Sequence, residues 1–213
     1  DKNEKFTSQN DDVLLEDSNG RAIWALGYFI LHANAFYKLE IAEATKAIQL
    51  TFPILSKIQS PRSIAFVIKG LCCYSMSKPS REVYDLIRML ADKLTGLYLA
   101  TADKHWKWFE AYLTYENAVL PECLIYAYHV TKDEQYKDIA KESFDFLLEK
   151  IFFNRQIKVI SNNNWLNKGE SNIKYGVFNL FQVSQYLSIS VSMSVLILSE
   201  SLTICHSIFL GSV

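Results

Sequence analysis

The stretch SPRSIAFVIKGLCCY (60–74), followed by REVYDLIRMLADKLTGLY (81–98), decides the fold class of this chain. The first run is apolar on nearly every side, whereas the second carries its apolar residues on a single helical stripe. A helix that is apolar all round must be enclosed by protein, while an amphipathic helix shows its polar face to water. The two runs therefore predict an αα-hairpin with one enclosed and one outward-facing helix.

The same alternation occurs twice more along the chain. RAIWALGYFILHA (21–33) and AVLPECLIYAYHV (118–130) are apolar nearly all round. Each precedes an amphipathic stretch, which covers 36–57 in the first case and 133–152 in the second. Three such pairs predict an all-α fold in which αα-hairpins form part of a two-layered helical ring; a flat solenoid of helix pairs is the alternative.

Local signals support these boundaries. Ser60 before Pro61 is predicted to cap the second enclosed helix, because proline suits the first helical position. Thr131 with Glu134 three residues later matches a capping box. Pro53 is expected to interrupt the amphipathic stretch 36–57.

The chain changes character after Phe152. QIKVIS predicts one short β element near 156–160, and SNNNWLNKGESN (161–172) is typical of a loop. From 176 to 213 the only ionised side chain expected is Glu200, so we divide the chain into a helical domain (1–175) and an atypical, low-charge helical tail (176–213). Scattered Ser and Gln and the lack of flanking Lys or Arg argue against a membrane-spanning tail.

Composition narrows the function classes. The chain has 213 residues, of which 50% are hydrophobic, and a formal charge of −1, so nothing favours nucleic acid or an anionic membrane. The four cysteines lack metal-ligand spacing, and no glycine-rich phosphate loop is present, so we expect neither metal nor cofactor. The absence of a disulfide framework and of a signal peptide predicts a cytoplasmic protein. The missing initiator Met suggests a fragment or a processed piece.

Candidate site residues lie where the chain enters the enclosed helices. If the hairpins run up and down around a ring, these entrances share one rim, and helix N-termini offer unpaired N–H groups to ligand oxygens. We predict the following residues there: Glu16, Arg21, Trp24, Arg62, Trp106, Trp108, Tyr115, Glu116 and Asn117 as substrate-binding residues, and Asp17, Glu110 and Glu122 as catalytic carboxylates. Aromatic faces that stack on sugar rings, beside carboxylates and amides that bind hydroxyls, are typical of a carbohydrate cleft. Two of the carboxylates can act as general acid and base if a water fits between them.

Each of these residues also has an ordinary structural role available. Glu16 or Asp17 can cap a helix, Asp17 can pair with Arg21, and Arg62 can hold a neighbouring loop. Trp106 and Trp108 can simply be core residues, because large aromatic side chains dominate protein interiors.

Three motifs resemble a bacterial family of (α/α)-toroid domains related to the six-hairpin glycosidases. The motifs are EDSNGRAIWALG (16–27), SPRSIAFVIKGL (60–71) and WFEAYLTYENAVLPECLI (108–125), with ISNNNWL (160–166) as a weaker fourth. The family's domains occur alone or fused to GT-B glycosyltransferases, and they are often described as glycosyltransferases. The resemblance covers 6–175 and implies an (α/α)6 toroid that processes carbohydrate, with an oligosaccharide or sugar as ligand.

This chain departs from the family in three places. The family's first hairpins, with an Asp-Asp-Asn-Ala-Arg type motif, have no counterpart here, so we expect a partial ring. GVFNLFQVSQYL (176–187) stands where the family has a Gln-Gln-Pro-like motif, and Glu116 replaces an Asp. A glycosyltransferase module or a second copy of the chain would complete such a ring.

The sequence thus supports three hypotheses about function. The first is a carbohydrate-processing domain, associated with a glycosyltransferase or similar to a glycoside hydrolase, that binds a sugar at the rim. The second is a non-catalytic helical scaffold that uses the same residues as connections. The third is an inactive fragment of such a domain, whose exposed apolar flanks favour self-association.

Overall fold

The computed structural model describes residues 15–33, 36–154, 156–158, 160–161, 165–176 and 189. These residues are mainly helical with two small antiparallel strand pairs, so the predicted all-α fold with a short β element is confirmed. They divide into two compact units, the first ending at Ala91 and the second beginning at Asp92. None of the helices in this part of the chain is long and apolar enough to cross a membrane.

The described residues form six α-helices. They are α1 (Glu16–His32), α2 (Lys38–Thr51), α3 (Pro61–Ser77), α4 (Arg81–Thr101), α5 (Val119–Thr131) and α6 (Glu134–Ile151). A 3₁₀ turn, Phe52–Lys57, follows α2 and carries Pro53 in its first turn, so the predicted interruption is confirmed. The division between the two units falls within α4.

The β structure consists of two-residue strands. β2 (Phe152–Phe153) pairs with β3 (Gln156–Ile157), which is the element predicted near 156–160. A second pair, β1 (Tyr112–Leu113) with β4 (Leu166–Asn167), joins distant segments and was not predicted. The isolated bridge between Ile160 and Tyr175 extends the irregular region beyond β3.

In the first unit, α1 and α3 pack with their backbones almost in contact. A Cβ atom added at Gly27 would lie 2.1 Å from the carbonyl oxygen of Gly70, and one added at Gly20 would lie 2.9 Å from that of Ser63. Gly20 faces Ser63 and Gly27 faces Gly70 in the same register, so the two helices run parallel. The chain must therefore return through α2, which runs in the opposite direction, as expected for hairpins that place like helices side by side.

The enclosed helices were predicted correctly in two cases out of three. α3 is buried continuously from Arg62 to Tyr74, and α5 is buried from Val119 to Ile125. The prediction was wrong for α1, which buries only the stripe Gly20, Ile23, Gly27 and Ile30. Its opposite face is open, with Tyr28 55% and Phe29 36% exposed, because one glycine-lined stripe is sufficient for the close contact with α3.

Two boundaries also need correction. α1 begins at Glu16 rather than at Arg21, where the apolar run 21–33 begins, so residues 16–20 are helical and do not form a connection before the helix. The capping box at Thr131 is absent: the Asp133 side chain accepts the Gln135 N–H and caps α6, while the Thr131 hydroxyl donates to the Ala127 carbonyl at the end of α5. The cap at Ser60 is confirmed, since its hydroxyl accepts the Ser63 N–H at 3.4 Å.

In the second unit, α6 packs beside α5 and is tied to the C-terminal half of α4. The Tyr136 hydroxyl donates to Asp92, and the Tyr98 hydroxyl donates to Glu142. Burial and the hydrogen bond to Glu142 raise the pKa of Tyr98, so this phenol stays protonated and remains a donor. These two contacts hold the helices that support the aromatic segment after α4.

The low-charge tail, predicted to be a separate helical segment at 176–213, lies outside the described residues except for Gly176 and Ile189.

Candidate functional site

Glu16 connects the starts of two helices in the first unit. Its Oε2 atom accepts the backbone N–H groups of Gln59 at 3.0 Å and Ser60 at 2.8 Å. Ser60 is the N-cap of α3, and Glu16 is the first residue of α1, so the entrances of α1 and α3 adjoin. Glu16, predicted to bind substrate, therefore binds the protein backbone in this structure. Its two charge-assisted hydrogen bonds orient residues 59 and 60, which lead into α3.

Asp17 lies one residue further along the same helix turn. Its Oδ2 atom accepts the Arg21 Nε–H at 2.8 Å, as the alternative structural role predicted. Its Oδ1 atom is buried and has no hydrogen-bond partner, and the buried Ser63 Oγ, on the facing turn of α3, is likewise without one within the described chain. Buried oxygens in such a position are costly unless they are paired, so this entrance retains unmet hydrogen-bonding capacity.

Trp24 lies one turn beyond Arg21 and is half-buried. Its ring stacks on Phe66 with centroids 5.6 Å apart, and the Lys69 Nζ atom lies 4.1 Å from its centroid. The Arg21 guanidinium lies 4.3 Å from the Phe66 centroid, so aromatic and cationic groups alternate across the α1–α3 surface. Lys69 is only 3% exposed, and sequence reasoning missed it because the surrounding run is apolar.

Arg62, also predicted to bind substrate, occupies the first turn of α3 and is 4% exposed. With Lys69 it places two buried cations on a helix that is otherwise apolar. Buried cations in proteins are paired or hydrogen-bonded, so both residues stabilise a particular arrangement of their surroundings.

In the second unit, Trp106 and Trp108 are core residues. Trp108 is 0% exposed and packs edge-to-face against Phe109 at 5.3 Å, and Trp106 packs in the same way against Phe146 at 5.1 Å. The Trp106 indole also donates to the Glu110 carbonyl at 2.7 Å, which closes the loop on itself. In this structure the Trp108 ring presents no face to a ligand, so the interleaved aromatic residues of this segment serve chiefly to pack it.

Asn117 closes the turn that leads into α5. Its Nδ2 donates to the Thr114 carbonyl at 2.7 Å, and its Oδ1 accepts the Thr114 N–H at 3.1 Å. Glu116, beside it, is 7% exposed and has a φ of +49°, a left-handed conformation that is strained for a residue with a side chain. Tyr115 is 37% exposed, so of these three predicted substrate-binding residues it is the one that reaches solvent.

The three predicted catalytic carboxylates differ in environment. Glu122 is 1% exposed in the first turn of α5, Glu110 is half-buried in the loop before β1, and Asp17 is paired with Arg21. Asp17 belongs to the first unit and the other two to the second, so a single funnel that collects all three remains a prediction. Among the described residues no cluster of three or more His, Cys, Asp or Glu side chains is arranged to hold a metal ion.

A cleft of about 860 Å³ opens in the second unit next to Trp106. Charged residues from three segments line it, among them Asp103 after α4, Lys150 near the end of α6 and Lys168 after β4. Lys168 pairs with Asp103 at 2.8 Å, and this hydrogen bond, with backbone N–H groups at His105 and Trp106, lowers the pKa of Asp103 to about 2. Trp106 is thus the predicted binding residue that borders this cleft, although only 4% of it is exposed.

A second cleft, of about 620 Å³, lies on the same unit and shares Gly169, Glu170 and Ser171 with the first. It is lined by Trp165, Asn167, Gly169, Glu170, Ser171, Asn172 and Lys174. Sequence reasoning assigned this stretch to a loop; the signal that could have marked it was a tryptophan among amide and charged residues in SNNNWLNKGESN.

The predicted site residues therefore form two sets, one at the α1–α3 entrance and one in the 106–122 segment. Comparison with known proteins assigns neither set, because no family model, no curated protein and no solved structure matches this chain.

Proposed function

We propose that this chain is a carbohydrate-binding helical domain of the (α/α)-toroid kind, with a sugar bound where α1 and α3 begin. The observation that carries the proposal is the unmet hydrogen-bonding capacity at this entrance, where Asp17 Oδ1 and Ser63 Oγ are buried without partners. Hydroxyl groups of a sugar can donate to a carboxylate and both donate to and accept from a hydroxyl. A ligand rich in hydroxyls is therefore the chemical class that suits Asp17, whose side chain is 38% exposed.

The surrounding residues add the apolar part of such a site. Trp24 is half-buried about two turns from Asp17, and Arg21 lies between them, held by its ion pair with Asp17. Aromatic rings bind the C–H face of a sugar, while a fixed cation and a carboxylate select its hydroxyl pattern. The parallel, glycine-mediated packing of α1 and α3 supports the toroid, since inner helices of such a ring run in the same direction.

Any catalysis would depend on the carboxylates. Asp17, Glu110 and Glu122 remain the residues we propose for a glycoside hydrolase-like or glycosyltransferase-associated reaction, with a glycosyltransferase module or a second copy as partner. We place the chain in the cytoplasm, where buried free thiols such as Cys72, Cys73 and Cys123 stay reduced.

The test is calorimetric titration of the full chain with maltotetraose, cellotetraose, chitotetraose and mannotetraose. Asp17→Asn should weaken binding of the recognised tetraose by about tenfold or more, because a hydrogen bond to a charged group contributes about 1.5–3 kcal/mol. Asp85→Asn is the matched control, since Asp85 pairs with Arg81 at the same i, i+4 spacing on exposed helix surface. Equal affinity for the two variants, or no binding of any tetraose, would refute the proposal.

A scaffold without ligand is the second candidate, and two observations favour it. Glu16 and Asn117 use their polar atoms to hold backbone segments, and Trp108 lies wholly within the core. On this hypothesis Asp17→Asn alters the free energy of unfolding. Neither the wild type nor the Asp17→Asn variant binds any of the four tetraoses. Calorimetry combined with urea unfolding separates the two candidates.

A further inference from the structure

The 860 Å³ cleft of the second unit is built from three segments that are separate in sequence. Its lining comes from the stretch 103–106 after α4, from Lys150 near the end of α6, and from the stretch 166–173, which includes β4. Trp106 and Leu166 are 4% and 2% exposed and contribute apolar surface to the cleft. A ligand with an apolar or C–H-rich body therefore has a surface to cover.

The charged groups of this cleft carry more positive than negative charge. Lys104, Lys150 and Lys168 line it together with the carboxylates of Asp103 and Glu170. Three ammonium groups thus accompany two carboxylates. The balance of charge favours an anionic ligand, provided that the two carboxylates are not turned against it.

Both carboxylates are already bound by the protein. Asp103 Oδ2 accepts the Lys168 ammonium at 2.8 Å, and Asp103 Oδ1 accepts two backbone N–H groups of the following turn at 2.8 and 3.0 Å. Glu170 Oε2 accepts the Asn167 N–H at 3.0 Å, and this hydrogen bond lowers the pKa of Glu170. Lys168 also donates to the Thr101 carbonyl at 2.6 Å. Asp103 and Lys168 therefore neutralise each other, and Glu170 is committed to its own turn.

The other two lysines have no such partner within the described chain. Neither Lys104 nor Lys150 forms an ion pair with any residue that the structure describes. Lys150 is half-buried, and its Nζ atom lies 5.0 Å from the centroid of the Phe146 ring one turn earlier on α6. A cation held against protein of low dielectric constant gains more from an anion than a cation in bulk water does. Lys150 is therefore the group that an anion would stabilise most.

We propose that this cleft, named here the Lys150 cleft, binds a small organic anion whose phosphate or carboxylate group contacts Lys150 and Lys104 and whose body lies against Trp106 and Leu166. Phosphate and carboxylate offer the same chemistry here, because a lysine ammonium group binds either of them as a point charge. The cleft volume lies within the range of about 300–1,000 Å³ usual for small-molecule sites. The proposal rests on the charges of the cleft and does not depend on a sugar site at the α1–α3 entrance.

The same lining disfavours two other classes of ligand. A metal ion would have to displace Lys168 from Asp103, and no cluster of three or more His, Cys, Asp or Glu side chains among the described residues is arranged to hold one. An uncharged ligand would remove water from the Lys150 ammonium group without supplying a negative charge, which costs free energy. An anion avoids both costs.

The experiment is calorimetric titration of the full chain with glucose 6-phosphate, glucuronate and phenyl phosphate, with glucose as the neutral probe. At least one of the three anions should bind more tightly than glucose. Glucose 6-phosphate against glucuronate separates phosphate from carboxylate, and phenyl phosphate shows whether the body has to be a sugar. The affinity should fall about threefold or more as NaCl rises from about 20 to about 200 mM, because salt screens the contact between charges.

Lysine variants locate the site. Lys150→Gln should weaken the affinity for the bound anion about tenfold or more, because Lys150 is half-buried. Lys104 is exposed, so Lys104→Gln should weaken it about two- to fivefold and leave the fold intact. Lys150→Arg should keep most of the affinity, since the positive charge is retained. Lys141→Gln is the matched control: it removes one positive charge from the exposed face of α6, where Lys141 pairs with Asp145, and it should leave the affinity unchanged.

The outcomes separate this proposal from the sugar site. Weaker binding by Lys150→Gln or Lys104→Gln, with wild-type binding by Lys141→Gln and a native circular dichroism spectrum, supports the Lys150 cleft. Wild-type affinity in both cleft variants overturns it, as does an equal loss in all three glutamine variants or the absence of binding by all three anions. The entrance site is tested by neutral tetraoses and Asp17→Asn, so either proposal can fail while the other stands.

Discussion

The change Gly27→Ala tests the close packing of α1 on α3. An added Cβ atom would lie 2.1 Å from the Gly70 carbonyl oxygen and 2.8 and 2.9 Å from the Gly70 C and Cα atoms. All three are backbone atoms, so no side-chain rotation can relieve the overlap. The helices would have to separate along their whole contact, which includes the buried residues Ile23 and Ile30.

The expected magnitude follows from two opposing effects. Overpacking of this severity should cost about 3 kcal/mol, whereas alanine is about 1 kcal/mol more favourable than glycine within a helix. Gly27→Ala should therefore destabilise the protein by about 2 kcal/mol. Gly96→Ala provides a matched control, because Gly96 lies within α4 with nothing within 4 Å of its added Cβ, and it should stabilise by about 1 kcal/mol.

The assay is thermal and urea unfolding followed by far-ultraviolet circular dichroism. A difference of about 3 kcal/mol between the two variants corresponds to roughly 6–12 °C in Tm for a chain of this size. Gly70→Ala and Gly20→Ala, with nearest distances of 2.6 and 2.9 Å, should fall between them in that order. If Gly27→Ala is as stable as wild type, or shifts Tm as Gly96→Ala does, the α1–α3 contact is not as described.

Three further changes test individual polar groups. Asn117→Ala removes both bonds to the Thr114 backbone in a buried turn and should destabilise by about 1–3 kcal/mol in urea unfolding. Glu16→Gln turns two charge-assisted bonds into neutral ones and should lower the free energy of unfolding by about 1 kcal/mol, seen as a lower urea midpoint. An unchanged midpoint would contradict a stabilising role for these two hydrogen bonds. The pKa of Asp103 is lowered from 3.8 to about 2 in the folded protein. The ionised carboxylate therefore stabilises the folded state above pH 4, and this stabilisation is lost as the pH falls from 4 to 2. Wild type and Asp103→Asn should therefore differ in urea midpoint at pH 6 and converge at pH 2.

The sequence predicts helices well where one physical signal dominates. α3 and α5 are apolar on all sides, and no arrangement other than enclosure keeps such helices out of water. α1 has a similar composition, but its burial depends on which neighbours cover it, and Tyr28 on its outer face is 55% exposed. The cap of α6 could not be chosen from sequence, because Thr131 and Asp133 are both good N-cap residues and only the path of the chain after α5 decides between them.

Site residues are harder to predict because the same side chain serves a ligand or the backbone depending on spatial neighbours. Glu16 and Asp17 are adjacent in sequence and both carry a carboxylate, yet only Glu16 is seen to accept two backbone N–H groups from a segment remote in sequence. Trp165 was overlooked for the opposite reason: its loop has no periodicity, and its stacking partner Tyr112 is distant in the chain. In both cases the missing information is long-range contact, which local patterns do not carry.

This difference between neighbouring carboxylates also separates a scaffold from a binding domain. Glu16 Oε2 already accepts two hydrogen bonds from the backbone, so Glu16→Gln should alter stability while leaving affinity for a tetraose unchanged. Asp17 pairs with Arg21 through Oδ2 on partly exposed helix surface, whereas its Oδ1 atom is buried without a partner and would be used fully only when a hydroxyl donor arrives. Asp17→Asn should therefore change affinity more than stability. If the two substitutions instead lower stability equally and no sugar binds, the residues at the start of α1 and α3 stabilise the fold and do not bind a ligand. The buried Oδ1 atom of Asp17 is then an unfavourable consequence of the close helix packing.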